Sequence, residues 1–231
     1  MRRHAIVEEP DDQQQRIWDS YNELMLGPDL DRVRKMLVRY DLFRRVLDVP
    51  GDIVECGVFK GVGLMYWLKL LQIYAPTARK RVIGFDSFAP FAGALRDYEV
   101  PQAQALLDEA QFDGTTPEAV AAHAVRMGLG DKVELVAGDI AETAAAYVAR
   151  NGGFRISLLH LDIDTYAATT AALTAFYDCI TPGGLVICDE YAYRGWGESD
   201  AVDEFLRGRG VAIKAVPFAD TPTAYFVKPV V

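Results

Sequence analysis

The run Val54-Glu-Cys-Gly-Val-Phe-Lys-Gly-Val-Gly63 constrains the fold more than any other stretch of this sequence. Ile53 and Val54 begin a short buried strand that ends at an acid, Glu55. Gly57, Gly61 and Gly63 then let the backbone turn tightly and come close to a ligand. A carboxylate there suits a ligand with a positive amino group, whereas a pyrophosphate would favour bare N–H groups without a nearby negative charge. Glycines alone also end strands and start helices, so the neighbouring segments must decide. Arg81-Val-Ile-Gly-Phe-Asp-Ser87 is a second apolar strand ending in an acid, about thirty residues after Glu55, as a βαβ unit requires. Asp86, beside Ser87, is placed to accept from two ribose hydroxyls. A third strand, Val133-Glu-Leu-Val-Ala137, runs into Gly138-Asp139-Ile140. Asp139 can bond an adenine amino group while Ile140 packs on the ring. Acids at three successive strand ends predict S-adenosylmethionine, surrounded by Glu55, Cys56, Gly57, Gly61, Asp86, Ser87, Asp139 and Ile140.

Nicotinamide enzymes share this strand spacing, and Gly57-x-x-x-Gly61-x-Gly63 matches the glycine pattern of short-chain dehydrogenases. Those enzymes need a Tyr-x-x-x-Lys pair for proton transfer. No lysine here has tyrosine four residues before it, and Tyr66 and Lys69 are three apart. A methyl donor is therefore expected rather than a dinucleotide, with a non-catalytic donor-binding module of the same fold as the alternative.

With 231 residues and 51% hydrophobic content, the chain can bury a full core. The expected division is a helical extension over 1–48, acting as lid or oligomer contact, and a donor-binding domain over 49–231. A formal net charge of −9 argues against nucleic-acid or membrane partners and suits a small neutral acceptor. The basic residues Arg32, Arg34, Lys35, Arg39, Arg44 and Arg45 interleave with Leu30, Val33, Leu37, Tyr40, Phe43 and Leu47 at helical spacing. That pattern reads as a solvated helix face. Cys56, Cys179 and Cys188 form no close-spaced pair and are expected to be buried, reduced thiols. With no signal-peptide core at the N-terminus and no run long enough to span a bilayer, the expected compartment is the cytoplasm.

Along the chain, residues 1–12 read as a polar, mobile segment, followed by helices over 13–26 and 29–48, the second capped by Asp29 or Asp31. Strands are expected near 53–57, 82–86, 133–137, 157–161 and 185–188, with helices near 61–75, 117–128, 140–150 and 167–179. Val211–Val216 and Ala224–Lys228 flank a turn and form a closing hairpin. The fold class is thus α/β: a doubly wound, Rossmann-like, seven-stranded sheet of the class I methyltransferase layout, last strand antiparallel, with N-terminal helices. The long connection from Phe88 to Thr116, with Phe88, Phe91, Tyr98 and Phe112, suits a lid, or a peripheral helix near 101–111.

Strand four, Ile156-Ser-Leu-Leu-His-Leu-Asp-Ile-Asp164, and strand five, Val186-Ile-Cys-Asp-Glu190, bring Asp162 and Asp189 to one sheet edge. If the strands are neighbours, about 5 Å separates their backbones. Unpaired carboxylates that close resist ionisation, and a divalent cation relieves the conflict. An all-oxygen set favours Mg²⁺, Mn²⁺ or Ca²⁺ over zinc. The expected ligands are Asp162, Asp189 and Glu190, with Asp162 also bordering the donor's methyl group. Such an ion would lower the pKa of an acceptor hydroxyl and aim it at the methyl carbon. Asp164 is the favoured general base, with helix capping as its other reading. His160 reads as a buried, hydrogen-bonded histidine. Tyr191, Tyr193 and Trp196 either stack on a sugar or anchor their loop.

Five segments, in order and spacing, carry a resemblance to the macrocin O-methyltransferase family. They are Val49-Pro-Gly-Asp-Ile-Val-Glu-Cys-Gly-Val58, Phe85-Asp-Ser-Phe88, Leu161-Asp-Ile-Asp-Thr-Tyr166, Thr181-Pro-Gly-Gly-Leu-Val-Ile187 and Cys188-Asp-Glu-Tyr191. The likeness covers roughly residues 29–228. It implies metal-dependent methylation of sugar hydroxyls on natural products, donor contacts at Glu55, Gly57 and Asp86, Mg²⁺ at Asp162, Asp189 and Glu190, and a homo-oligomer. The chain departs from the family pattern at Ile163, where glycine is usual, and at Glu190, where a second aspartate is usual. The segment after Asp86 departs as well, so the likeness implies the reaction more than the acceptor.

Overall fold

Every apolar segment singled out above becomes a strand in the computed structural model, which describes residues 12–91, 93–110 and 115–230. They are β1 (Asp52–Cys56), β2 (Val82–Asp86), β3 (Val133–Ala137), β4 (Ile156–Leu161), β5 (Ile180–Cys188), β6 (Lys214–Ala215) and β7 (Ala224–Val227). They form one sheet in the order β3-β2-β1-β4-β5-β7-β6. β1 to β5 run parallel, and β7 is antiparallel to both β5 and β6. The strand order reverses between β1 and β4, the switch point at which doubly wound sheets bind ligands.

Eight α-helices surround the sheet among the described residues: α1 (Asp12–Leu26), α2 (Asp31–Arg44), α3 (Val62–Tyr74), α4 (Val100–Ala110), α5 (Pro117–Arg126), α6 (Ile140–Arg150), α7 (Tyr166–Phe176) and α8 (Glu198–Leu206). Alternation along the strands sorts the core into two layers. Val54, Phe85, Leu159 and Val186 face Tyr147, Leu173, Phe176 and Val202 of α6, α7 and α8. Ile53, Val82, Leu158 and Ile187 face Val38, Phe43, Leu64, Trp67 and Val120 of α2, α3 and α5.

Several boundaries differ from expectation: α2, expected over 29–48, spans Asp31–Arg44, and α7, expected to reach 179, ends at Phe176. β5 begins at Ile180, because Thr181-Pro-Gly-Gly forms a bulge: Ile156 pairs with Ile180, yet Leu158 pairs with Leu185. The hairpin strand expected over 211–216 shrinks to the short edge strand β6. Asp29 does serve the start of α2, accepting from the Asp31 N–H at 2.8 Å. α1 buries no residue and leaves Ile17, Trp18, Tyr21 and Met25 exposed. Of residues 1–12, read above as mobile, Asp12 begins α1, while 1–11 lie outside the described residues, as does Phe112. The three cysteines are free and buried. No described helix is long and apolar enough to cross a membrane.

The start of α5 gives a small local prediction. The Thr116 hydroxyl accepts from the Ala119 N–H at 3.2 Å, with Pro117 in the first turn. Thr116→Ala should cost about 1 kcal/mol in urea unfolding, and an unchanged midpoint would show that the cap contributes nothing.

Candidate functional site

Period-two alternation explains why the acids meet. Glu55 pairs in register with His160, and His160 with Ile187. Residues two further along each strand keep the same face, so Asp162 and Asp189 follow His160 and Ile187 at the carboxyl edge on the α2–α3 side. The ladder continues past the strand ends, with Asp162 N–H donating to the Cys56 carbonyl at 2.8 Å and Asp189 N–H to the Leu161 carbonyl at 3.0 Å.

A buried chain of polar groups links these positions. Glu55 Oε1 accepts from Trp67 Nε1 at 3.1 Å and lies 3.1 Å from His160 Nδ1. His160 Nε2 lies 3.0 Å from Asp189 Oδ1, and the imidazole stands edge-on to Trp67 with centroids 5.8 Å apart. Asp189 Oδ2 accepts from Lys35 Nζ at 3.0 Å, and Arg39 Nη2 reaches Asp162 Oδ2 at 3.5 Å. Glu55, His160 and Asp189 are essentially inaccessible.

Lys35 and Arg39 overturn one expectation. They are not part of a solvated face, because α2 packs Val38, Leu42 and Phe43 into the core and so turns the flanking 35 and 39 positions onto the acids. Arg34 does remain exposed, paired within the helix to Asp31, whereas Arg45, just past the end of α2, pairs with Asp41 and donates to the Tyr225 hydroxyl of β7 at 2.7 Å. The spacing of four between Lys35 and Arg39, beside apolar residues on the same helical face, was the signal available in the sequence.

Charge in the cluster is unbalanced. Glu55, Asp162, Asp164, Asp189, Glu190 and Glu198 gather around the cations of Lys35, Arg39 and, when protonated, His160. Burial and the neighbouring Asp189 charge push Asp162 up to about 6. Burial, then Asp189 and Asp162, push Glu190 up to about 8. Burial and the surrounding carboxylates hold Asp164 and Glu198 well above the usual carboxylate range. Burial would also raise Asp189, but the His160 hydrogen bond and the nearby cations outweigh it and hold Asp189 below that range. His160 is the converse: burial would lower it, yet its hydrogen bonds to Asp189 and Glu55 raise it.

These acids fit a divalent cation. Ligand atoms of His160, Asp162 and Asp189 lie within 4.8 Å of one another. Asp162 and Asp189 thus come together as expected, with His160 as the third member of that group. Glu190 stands beside it, its Oε2 buried without a partner. The His-x-Asp spacing on one strand face could have pointed to His160.

The residues expected around a donor are distributed differently. Asp86, at the end of β2, accepts from the N–H groups of Val58 at 2.6 Å, Phe59 at 2.8 Å and Phe88 at 2.7 Å. A carboxylate offers about four lone-pair sites, so capacity remains. Asp139 Oδ1 caps α6 through Ala141 N–H at 2.9 Å, and Ile140 is largely buried. Ser87 Oγ donates to the Ala89 carbonyl. Glu55 is turned toward Trp67 and His160, and the Cys56 side chain is sealed in the core. Gly61 begins α3 in the left-handed region at φ 85°.

Backbone strain gathers at the same edge. Among the described residues, the non-glycine positions with positive φ are Phe59, Phe88, Asp164 and Ala192, in the loops after β1, β2, β4 and β5. Asp164 does not cap α7; the Thr165 hydroxyl does, accepting from Ala168 N–H. The connection after β2 is clasped onto α7 and α8. Buried Glu99 accepts from Tyr166 N–H at 2.7 Å and Arg96 N–H at 2.6 Å, and Arg96 and Tyr98 bond Asp200. Phe91 packs on Trp196, and Tyr191 bonds Asp203, so Trp196 and Tyr191 anchor their loop while Tyr193 is exposed.

Sheet order, switch point and acidic edge define a class I methyltransferase fold. The macrocin-O-methyltransferase (TylF) family model matches residues 7–228. The chain belongs to that family. It is 35% identical over 176 residues to the 8-demethyl-8-(2,3-dimethoxy-alpha-L-rhamnosyl)-tetracenomycin-C 4'-O-methyltransferase of Streptomyces olivaceus, covering 71% of this chain and 65% of that protein. It is 30% identical over 173 residues to the mycinamicin III 3''-O-methyltransferase of Micromonospora griseorubida, covering 73% and 65%. The match therefore spans just under two thirds of either relative. Among solved structures, the calicheamicin methyltransferase CalS11 superposes with a TM-score of 0.75 at 27% identity over 96% of this chain and 87% of that one. Its apo form, described as a TDP-rhamnose 3'-O-methyltransferase, gives 0.71 at 28% identity over 96% and 88%.

Proposed function

We propose that this chain transfers the methyl group of S-adenosylmethionine to a hydroxyl on the sugar of a natural product, assisted by a divalent cation. The observation that carries the reading is the surplus of buried carboxylates around Asp162 and Asp189 at the switch point of a methyltransferase sheet. The sugar is supported by the rhamnosyl and TDP-rhamnose acceptors in the names of the relatives.

Bound S-adenosylmethionine would supply the electrophilic methyl group, and a bound Mg²⁺, Mn²⁺ or Ca²⁺ would acidify the acceptor hydroxyl. Asp162, Asp189 and Glu190 would hold the ion. His160, fixed between Glu55 and Asp189, would orient the Asp189 carboxylate. Asp164, kept basic by burial and its acidic neighbours, would take the acceptor's proton. The loop from Gly57 to Gly61, with Asp86, Ser87, Asp139 and Ile140, would line the donor. The apolar face of α1 suits contact with a second copy, and α2 covers the acids.

The test incubates the protein with S-adenosylmethionine and a panel of rhamnosylated and non-glycosylated hydroxyl acceptors, with and without chelator. The expected outcome is transfer to a glycosylated acceptor, cut at least about tenfold by chelation and restored by Mg²⁺. Undiminished turnover in chelator would remove the metal from the reading, and no transfer to any glycoside would remove the acceptor class.

A further inference from the structure

The geometry points to Glu198, the first residue of α8, as a positioning residue that sets the spacing between the Asp164 and Glu190 loops. Its N–H donates to the Asp164 carbonyl at 3.0 Å, and its Oε1 accepts from the Glu190 N–H at 3.2 Å. One residue thus bonds the loop after β4 with its backbone and the loop after β5 with its side chain. Both loops are strained where α8 grips them. Asp164 holds φ 58°, and Ala192, at φ 66°, donates its N–H to Ser199 Oγ at 2.7 Å. Conformations of this kind persist where surrounding contacts over-determine them, and the first turn of α8 supplies those contacts.

The side chain is also placed as a strut rather than a surface cap. Glu198 is 0% exposed, with Oε2 buried and unpartnered. A surface carboxylate at a helix start would gain only from the helix dipole, whereas this one is withdrawn from water to reach a single main-chain N–H. Asp200, two residues on, takes Arg96 and Tyr98 of the connection after β2. Three loops of the carboxyl edge therefore converge on the first turn of one helix.

The inference rests on the methyl-transfer reading for its kinetic effect, but not for its structural one. Glu198→Gln keeps an acceptor oxygen at the same reach. Glu198→Ala removes it, and Glu198→Asp keeps the carboxyl group on an arm one carbon too short. Hydrogen exchange of the 189–193 segment should quicken at least tenfold in the Ala and Asp variants and stay within threefold of wild type in the Gln variant. With an accepted sugar, kcat should fall at least thirtyfold in the Ala and Asp variants with donor KM within twofold, and the Gln variant should recover it. Wild-type exchange in Glu198→Asp, or a Gln variant as impaired as Ala, would overturn the inference. If Ala does not fold, the Gln and Asp pair decides it alone. A wild-type protein that methylates no sugar would sink the functional reading while the exchange measurement still decides this one.

Discussion

Asp189→Ala is expected to lose both stability and turnover. The carboxylate is buried, accepts from Lys35 at 3.0 Å and lies 3.0 Å from His160 Nε2, so its removal leaves the Lys35 ammonium with only the neutral Thr221 hydroxyl and His160 with only Glu55. Breaking one side of a buried charged pair costs about 3–5 kcal/mol, chiefly because the partner is left unpaired. At about 2–4 °C per kcal/mol for a chain of this size, the melting temperature should fall by about 6–20 °C. Turnover should fall at least about a hundredfold, since Asp189 is also a proposed ion ligand. The carboxyl of Asp189 lies below the usual carboxylate range. Its contribution is therefore present above its unfolded value of about 3.9 and is lost as pH falls below it, so the gap between wild type and variant should close in acid. Lys35→Met in the same background isolates the cause. Lys35 is partly exposed, so its removal alone should cost less, and the double variant should recover part of the Asp189→Ala loss. Additive losses would mean that Lys35 and Asp189 do not act as a pair.

What could be read from the sequence follows a physical divide. Strands were legible because Ile53-Val54, Val82-Ile83 and Leu158-Leu159 are short apolar runs, and their alternation with helix-forming stretches leaves little but a parallel sheet. Asp162 and Asp189 were legible as neighbours because strand ends share an edge. The partners of His160 were not. They lie 105 residues before it and 29 after it, and only the strand register, set partly by the bulge after Ile180, brings them together. Lys35 and Arg39 were hidden for a related reason. Helical spacing tells which residues share a face, but not that the face is laid over a carboxylate cluster. Glu198 and Glu99 carried no sequence signal of their own, since a glutamate at a helix start is ordinarily exposed.

Gly57 shows how tightly the two halves of the site are joined, and Gly57→Ala should be among the most damaging single changes in the chain. Its φ of 89° already disfavours a side chain, and a Cβ there would overlap the Asp162 carbonyl oxygen and lie 2.6 Å from its carbonyl carbon. The obstacle is backbone, bonded in the ladder between β1 and β4, so no rotamer change relieves it. Gly128 provides the control. Its φ of 71° is equally left-handed, yet a Cβ there would meet nothing within 4 Å. Gly128→Ala should therefore cost only the conformational term, about 1–3 kcal/mol. Gly57→Ala should exceed it by enough to leave little folded protein, with a loss above about 4 kcal/mol. Donor affinity in any folded fraction should fall as well, because relief requires the glycine loop or the Asp162 segment to move. Equal losses in the two variants, measured by thermal unfolding and donor calorimetry, would show that φ alone selects glycine at position 57. The loop after β1 would then be free to shift relative to Asp162, and the carboxyl edge could not serve as a fixed frame for methyl transfer.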